Sequence, residues 1–392
     1  MNQKYIPAVL VVIMFMCCSC EHNAYKIKGE LRGDVNGQYI YLQFADTCRQ
    51  VLDSAKIENN RFVFEGTASE VRLGNVFLNR KNEATGRISR VNMPLFIEKG
   101  EVGLLAHYDS IQPGMVLFDN YNLQGTPSNE MFYKYMKLSA MYDRMDRQLF
   151  DIYGDYLSNK EPGRNYFERG LMLTTEMDSL NTQRIRMTMS YIREYADSEV
   201  GVVVFTKILS LLSLDEIEAA TQFLSGRVKG TAVGVYGMGQ VERMKQNAVG
   251  SVCADFKLKT PDGIETSLSD YVGRGNYILL EFWASWCGPC KKEIPHIKEV
   301  LKAYEKENFQ VVGISMDTGN EAWKKAIEEH KVDWVQLSAL QGFSGKLPET
   351  FRVRGIPTCI LLDPQGQIIH RNARGAWLDR FLMTQWGDRF EK

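Results

Sequence analysis

At 392 residues the chain is longer than one core of ordinary size accommodates, so roughly two or three domains are expected. Its 47 basic and 48 acidic residues leave a formal charge of -1, and the basic residues form no long run or stripe, so nothing points to a nucleic-acid partner. Beyond the N-terminal Cys17, Cys18 and Cys20, only Cys48, Cys253, Cys287, Cys290 and Cys359 occur, an odd and sparse set that excludes a disulfide-stapled scaffold and points to chemistry.

Met1-Asn2-Gln3-Lys4 is a short basic start, and Tyr5 to Cys18 is an apolar stretch shorter than the ~20 residues of a bilayer span. Ser19-Cys20-Glu21 is a small-residue exit, and the whole predicts an export signal over 1–19. A cysteine at such an exit resembles the acceptor of bacterial lipoproteins, which is acylated and becomes the mature first residue. Cys20, after Ser19, is the best candidate, with Cys18 and Cys17 behind it. Cys17 and Cys18 stand where that signal carries an aliphatic and then a small residue, so an ordinary cleaved signal or an uncleaved anchor stays open. Acyl chains at about 0.8 kcal/mol per buried methylene would hold the protein on a membrane surface, facing the periplasm of a bacterial envelope.

From residue 24 to 124 short alternating runs (Lys26 to Leu31, Gln38 to Leu42, Arg61 to Glu65, Val91 to Ile97) are punctuated by Asn36-Gly37, Asn59-Asn60, Lys99-Gly100 and Pro113-Gly114, which predicts an antiparallel β domain. From 126 to 246 the apolar spacing is helical. One helix opens at Ser128-Asn129-Glu130, with Met131, Tyr135, Leu138 and Met141 near one face; others span Tyr166 to Tyr195, Val200 to Leu212 and Leu214 to Leu224. Its methionines and tyrosines read as core rather than as a substrate groove.

From 249 to 392 strands and helices alternate, which implies a central sheet covered by helices. The order is a strand at Phe256 to Leu258, a strongly apolar strand from Tyr277 to Trp283, a helix from Pro289 to Glu307, a strand from Phe309 to Ser315, a helix from Asn320 to His330, strands Thr358 to Leu362 and Gln367 to His370, and a closing helix. The fold class expected is therefore multidomain: β, then α-helical, then α/β.

Cys287-Gly288-Pro289-Cys290 falls between an apolar strand and a helix start. A lone Cys-x-x-Cys is also half a zinc site, but no second such pair exists in the mature chain. At a helix start, free N–H groups and the positive end of the helix dipole favour a thiolate at Cys287. Phe282-Trp283-Ala284-Ser285-Trp286-Cys287-Gly288-Pro289-Cys290-Lys291 resembles the thioredoxin active-site segment almost residue for residue.

The resemblance implies that Cys287, the exposed member, attacks a substrate disulfide and that the buried Cys290 resolves the mixed disulfide. Gly355-Ile356-Pro357-Thr358 resembles the family's cis-proline loop, implying a cis Pro357 whose neighbours Ile356 and Thr358 pair with an extended substrate strand. Trp286, Gly288 and Pro289 are implied as supporting residues, Trp286 packing beside Cys287. Glu281 stands at the family's buried-acid position, where a raised pKa would suit it to take the Cys290 proton. Glu293, three residues past Cys290 on the same helix face, matches the acid of TlpA-like and ResA-like membrane-tethered reductases. Either carboxylate could instead be merely solvated or paired. No cofactor is implied beyond the Cys287–Cys290 couple, and no metal. The β region, through Gly29 to Tyr41 and Asp53 to Phe64, resembles the small uncharacterised module that precedes thioredoxin domains in lipoproteins of the Bacteroidota.

A Gly-Pro spacer resembles thioredoxin, with a potential near about -270 mV, which implies reduction of protein disulfides. A reductant outside the cytoplasm needs imported electrons, implying a membrane donor of the CcdA or DsbD type. Lowering a thiol pKa from about 8.5 to about 7 gains only about threefold at pH 7, because roughly 15-fold more thiolate is offset by roughly 5-fold lower nucleophilicity. Docking and fast resolution must supply the rest. Peroxiredoxins share the fold, but their Pro-x-x-x-Thr-x-x-Cys is absent: Trp283-Ala284-Ser285-Trp286 precedes Cys287. The other alternative is a binding or scaffold lipoprotein with secondary redox activity. Cys359 reads as a small buried hydrophobe, and Cys253-Ala254 stands where relatives usually carry Ala-Pro before Asp-Phe.

Overall fold

Alternating burial, the mark of strands with one face on a core, runs through β1 (Ala24–Arg32), whose Ile27 and Leu31 point inward, and β4 (Arg61–Thr67), whose Phe62 and Phe64 do. The computed structural model describes residues 23–45, 51–81, 86, 88–110, 121–158 and 164–390. The predicted signal, Cys20, Cys48 and Pro113-Gly114 lie outside them. The chain divides into a unit ending at Lys134 and a unit beginning at Tyr135.

The first unit adds β2 (Tyr39–Phe44), β3 (Val51–Lys56), β5 (Arg72–Lys81), β6 (Ile88–Ile97), β7 (Gly100–His107) and β8 (Tyr121–Gln124). They form two four-stranded sheets, β4-β1-β7-β8 and β3-β2-β5-β6. The expected antiparallel pairing needs one correction: β1 and β7 run parallel. Parallel neighbours require a long crossover, and the chain between β1 and β7 supplies it by building the second sheet and β4. Asn59 and Asn60 both take left-handed backbone (φ 52° and 62°) and close a two-residue turn between Glu58 and Arg61. Helix α1 (Pro127–Ser158) starts where the Asn129 amide donates to the Phe96 carbonyl (2.8 Å) and accepts its N–H (2.9 Å).

In the second unit, α1 continues and is followed by α2 (Arg164–Glu194), α3 (Glu199–Ile208), α4 (Leu214–Phe223), α5 (Gly226–Lys229) and α6 (Ala232–Lys245). Hydroxyl N-caps at Ser198, Ser213, Ser225 and Thr231 start the last four, Ser213 in a capping box with Glu216. The expected face of α1 is corrected. Leu138 and Met141 are exposed, and the stripe Phe132, Met136 and Ala140 is buried with Tyr135, whose ring meets Tyr191 at 5.4 Å. Helix α6 lies in the segment expected to be helical, beyond the last helix named there, and carries Gly234, Gly237 and Gly239. Gly237 is a packing contact: a Cβ there would lie 2.2 Å from Val202 on α3.

The remaining elements are β9 (Lys257–Lys259), β10 (Glu265–Ser267), β11 (Tyr277–Trp283), α7 (Gly288–Ala303), β12 (Phe309–Ser315), α8 (Asn320–Glu329), β13 (Val335–Ser338), α9 (Lys346–Thr350), β14 (Thr358–Leu362), β15 (Ile368–Arg371) and α10 (Ala376–Trp386). The sheet order is β10-β9-β13-β12-β11-β14-β15, with β11 central, parallel to β12 and antiparallel to β14. This is the expected thioredoxin-like α/β arrangement. A central strand is covered on both faces, which is why β11 reads as an unbroken apolar run rather than an alternating one. Glu281 interrupts that run.

Candidate redox site

The segment leaving β11 is pinned before it reaches the cysteines. The Ser285 N–H and hydroxyl donate to the buried Asp317 carboxylate at 2.9 and 2.6 Å, and the Trp283 indole donates to Gln336 at 2.9 Å. Cys287 then caps α7, with extended backbone and its Sγ accepting the Cys290 N–H at 3.2 Å. Gly288 and Pro289 follow in the first turn, where a missing N–H costs no hydrogen bond. Cys287 and Cys290 are joined as a disulfide with Cα atoms 5.3 Å apart. One expectation is corrected: Cys287 is not exposed. It is 4% accessible against 0% for Cys290, because the disulfide and the facing loop cover it, while Trp286 beside it is 60% exposed.

The facing loop is Gly355-Ile356-Pro357-Thr358, with a cis Ile356–Pro357 peptide. Cys287 Sγ lies 3.7 Å from the Ile356 carbonyl oxygen, and the Thr358 hydroxyl donates to the Gly355 carbonyl at 2.7 Å. In the disulfide form Cys287 has no proton to give; on reduction its thiol has that carbonyl as an acceptor. Arg354 and Gly355 are exposed at the loop's edge. Arg352, Arg354 and Arg243 sit close enough that, after burial, the latter two depress the Arg352 guanidinium. Arg371 straps this corner by donating to the Asn247 and Phe351 carbonyls at 2.9 and 2.8 Å. Trp286, next to Cys287 in the chain, and Phe343 are both exposed, with ring centres 6.4 Å apart.

The two candidate carboxylates differ sharply. Glu281, 1% accessible, faces Cys359 in the β11–β14 register, and its Oε1 has no hydrogen-bond partner. Burial first, then the Glu293 charge, raise its pKa to about 8; the Trp334 indole opposes this without completing a hydrogen bond. Glu293 is also buried, but its pKa is lowered. Burial is the largest influence and raises it, and it is outweighed by hydrogen bonding and charge from His296, then by Arg374 and the Gly375 N–H. His296 Nδ1 is 3.2 Å from Glu293 Oε1 and Nε2 is 2.8 Å from Asp379 Oδ1, so both ring nitrogens face carboxylates. Although burial opposes it, this pair of anions raises the His296 pKa to about 10 and keeps the ring an imidazolium. At neutral pH the site thus holds one protonated carboxyl, Glu281, and one fixed carboxylate, Glu293.

Sequence reasoning named Cys287, Cys290, Pro357, Glu281, Glu293, Trp286, Ile356 and Thr358, and the fold brings them to one end of the sheet. It missed His296, Asp379 and Asp317. His296 lies three residues after Glu293 on one helix, a spacing that was readable. Asp379, 83 residues from His296, had no local signal. Cys359 is fully buried opposite Glu281, and burial pushes its thiol up. Burial likewise raises Cys253 to about 12, which leaves its thiol protonated and inert.

The sequence profile of the AhpC/TSA family matches residues 249–371, and that of a domain of unknown function (DUF4369) matches residues 25–132. A thiol-disulfide oxidoreductase ResA of Geobacillus kaustophilus is 30% identical over 121 residues, which are 31% of this chain and 67% of that protein. A ResA of Bacillus cereus is 27% identical over 131 residues, 33% of this chain and 73% of that one. A thiol-disulfide oxidoreductase structure from Bacteroides fragilis is 34% identical and covers 34% of this chain and 99% of its own, with a TM-score of 0.33. The thioredoxin domain of one from Bacteroides vulgatus is 33% identical and covers 35% and 97%, with a TM-score of 0.32. With its paired cysteines capping α7 against a cis-proline loop and this likeness to ResA, the chain belongs to the thioredoxin-fold thiol-disulfide oxidoreductases.

Proposed function

We propose that the chain is a disulfide reductase held on a bacterial envelope membrane and facing the periplasm. One observation carries the reductase reading: Cys287 Sγ stands between the Cys290 N–H and the Ile356 carbonyl, beside a half-buried cis-proline loop whose Gly355 is exposed. A substrate strand laid along Ile356 to Thr358 would present its disulfide to that sulfur.

The Cys287 thiolate attacks one sulfur of the substrate disulfide. An S–S bond forms to the enzyme, and the other substrate sulfur leaves as a thiolate that takes up a proton. Cys290, deprotonated, then attacks Cys287 Sγ, the second substrate thiolate leaves, and the Cys287–Cys290 disulfide forms. The substrate gains two electrons and two protons, and the enzyme dithiol loses them. Glu281 is the proton acceptor for Cys290. With a pKa of about 8 it is about one-tenth ionised at pH 7, so the rate of resolution rises with pH up to that value. Returning the enzyme disulfide to the dithiol takes two electrons from a membrane dithiol donor of the CcdA or DsbD type. The leader over 1–19, followed by Cys20 as the residue to be acylated, supports the envelope location.

Insulin reduction with dithiothreitol present tests the catalytic reading: wild-type protein accelerates precipitation and Cys287→Ser does not, and equal inactivity of the two would overturn it. Rapid peroxide consumption through Cys287 would replace the reductase with a peroxidase. Mixed disulfides trapped in cells by Cys290→Ser identify substrate and donor. Labelled palmitate entering the wild-type chain and not Cys20→Ala tests the anchor.

A further inference from the structure

Beyond the cysteine pair and its two acids, the second unit holds a chain of contacts that leads away from Glu293. Glu293 Oε1 accepts the Gly375 N–H at 3.0 Å. Gly375 has left-handed backbone (φ 52°), and a Cβ there would lie 2.6 Å from the Tyr153 hydroxyl, so only glycine fits. Tyr153 belongs to α1. Its buried hydroxyl accepts the Ala376 N–H at 3.1 Å and donates to the Arg374 carbonyl at 3.3 Å, which brackets Gly375 on both sides. The Tyr153 ring meets Trp377 edge-on at 4.8 Å. From α2, Asp178 accepts the Trp377 indole N–H at 3.2 Å and pairs with Arg380, and Thr175 accepts from Arg380 at 3.1 Å. Tyr153, Tyr156, Leu173, Met177 and Ala376 form a core cluster of their own.

We propose that α1 and α2 are a working part of the redox centre: Tyr153 and Asp178 are positioning residues that fix the Arg374–Trp377 turn, whose Gly375 N–H holds the Glu293 carboxylate. The proposal rests on the reading of Glu281 as proton acceptor only for its effect on rate. A held Glu293 anion raises Glu281, so the helices set the pH at which Glu281 releases its proton. The groups facing this pair are Trp334 and Cys359 at Glu281, and His296, Arg374 and Tyr153 at Glu293, with Asp379 behind His296. None comes from α2, so Asp178 acts only through the turn. Loosening the turn frees Glu293 to move from Glu281 or to take up a proton, and both lower the Glu281 titration.

The test is a carboxyl ¹³C NMR titration of glutamate-labelled full-length protein in the disulfide form, with the Glu281 resonance assigned by its loss in Glu281→Gln. Tyr153→Phe keeps the ring and its stacking but loses both hydroxyl contacts; Asp178→Ala loosens the turn from the other helix. Each is expected to move the Glu281 midpoint toward acid by about half a pH unit, a roughly threefold change in ionised fraction on the limb. Ser190→Ala, exposed on α2 about three turns beyond Asp178, is expected to leave it in place. Unshifted midpoints in both variants, with helix content retained, would overturn the proposal. If the midpoint moves but the pH profile of insulin reduction does not follow, positioning stands and the role of Glu281 as proton acceptor fails.

Discussion

The middle of β11 and the face shared by α7 and α10 each bury a glutamate at the same redox centre, and they treat it in opposite ways. On β11, Glu281 is walled in by apolar neighbours and one Oε1 finds no partner, so the neutral acid is favoured. On α7, Glu293 is also buried but meets an imidazolium and a backbone N–H, so the anion is favoured. Burial alone therefore does not set the protonation state of an acid; the donors present at the site decide it. A carboxylate held well below working pH is too weak a base to take a thiol proton, whereas a carboxyl titrating near working pH keeps an ionised fraction basic enough to accept one.

The largest effect is expected from breaking the α7 side. His296→Gln leaves two buried carboxylates to share one amide and costs about 4 kcal/mol. The sign follows from the raised imidazole: its stabilisation is complete below its ordinary 6.5 and is lost as pH rises through about 10. Urea unfolding of variant and wild type should accordingly diverge most near pH 6 and converge toward pH 10. A constant difference across that range would mean that the ring acts by packing alone.

The β11 side is broken next. The raised Glu281 carboxyl holds its proton in the folded chain when the unfolded chain has lost it, so its contribution is complete below about 4.5 and is lost as pH rises through about 8. Glu281→Gln removes that loss, and above pH 8 the variant should be about 5 kcal/mol more stable than wild type. The same substitution should slow resolution of the mixed disulfide about 100-fold and abolish the rise in rate toward pH 8, as stopped-flow single turnovers would reveal. A variant that is both more stable and slower would mark Glu281 as kept for chemistry at a cost to the fold.

The smallest effect lies outside both acids. Arg354→Glu reverses charge at the edge of the cis-proline loop and should lower kcat/KM for disulfide peptides with acidic flanks about threefold at low salt, an effect that fades as ionic strength rises. No dependence on peptide charge would confine the arginine corner to a structural role.

Patterns carried by neighbours along the chain were legible beforehand. The apolar run from Tyr277 to Trp283 and the Cys-x-x-Cys that follows it placed the central strand, the helix start and the cysteine pair, because burial on both faces and capping act over a few residues. The capping box at Ser213 and Glu216 was readable for the same reason. Tertiary structure alone decided which of two apolar stripes of α1 turns inward, since both satisfy the helical period and only a neighbour such as Tyr191 chooses between them. It also decided that Gly237 of α6 is a helix contact, and that β1 and β7 run parallel. The protonation of the two glutamates belongs with these. Sequence placed both beside the cysteines, but their different protonation states come from burial around Glu281 and, at Glu293, from His296 backed by Asp379 and from the Gly375 turn under Tyr153, groups distant in the chain that only packing brings within a few ångströms.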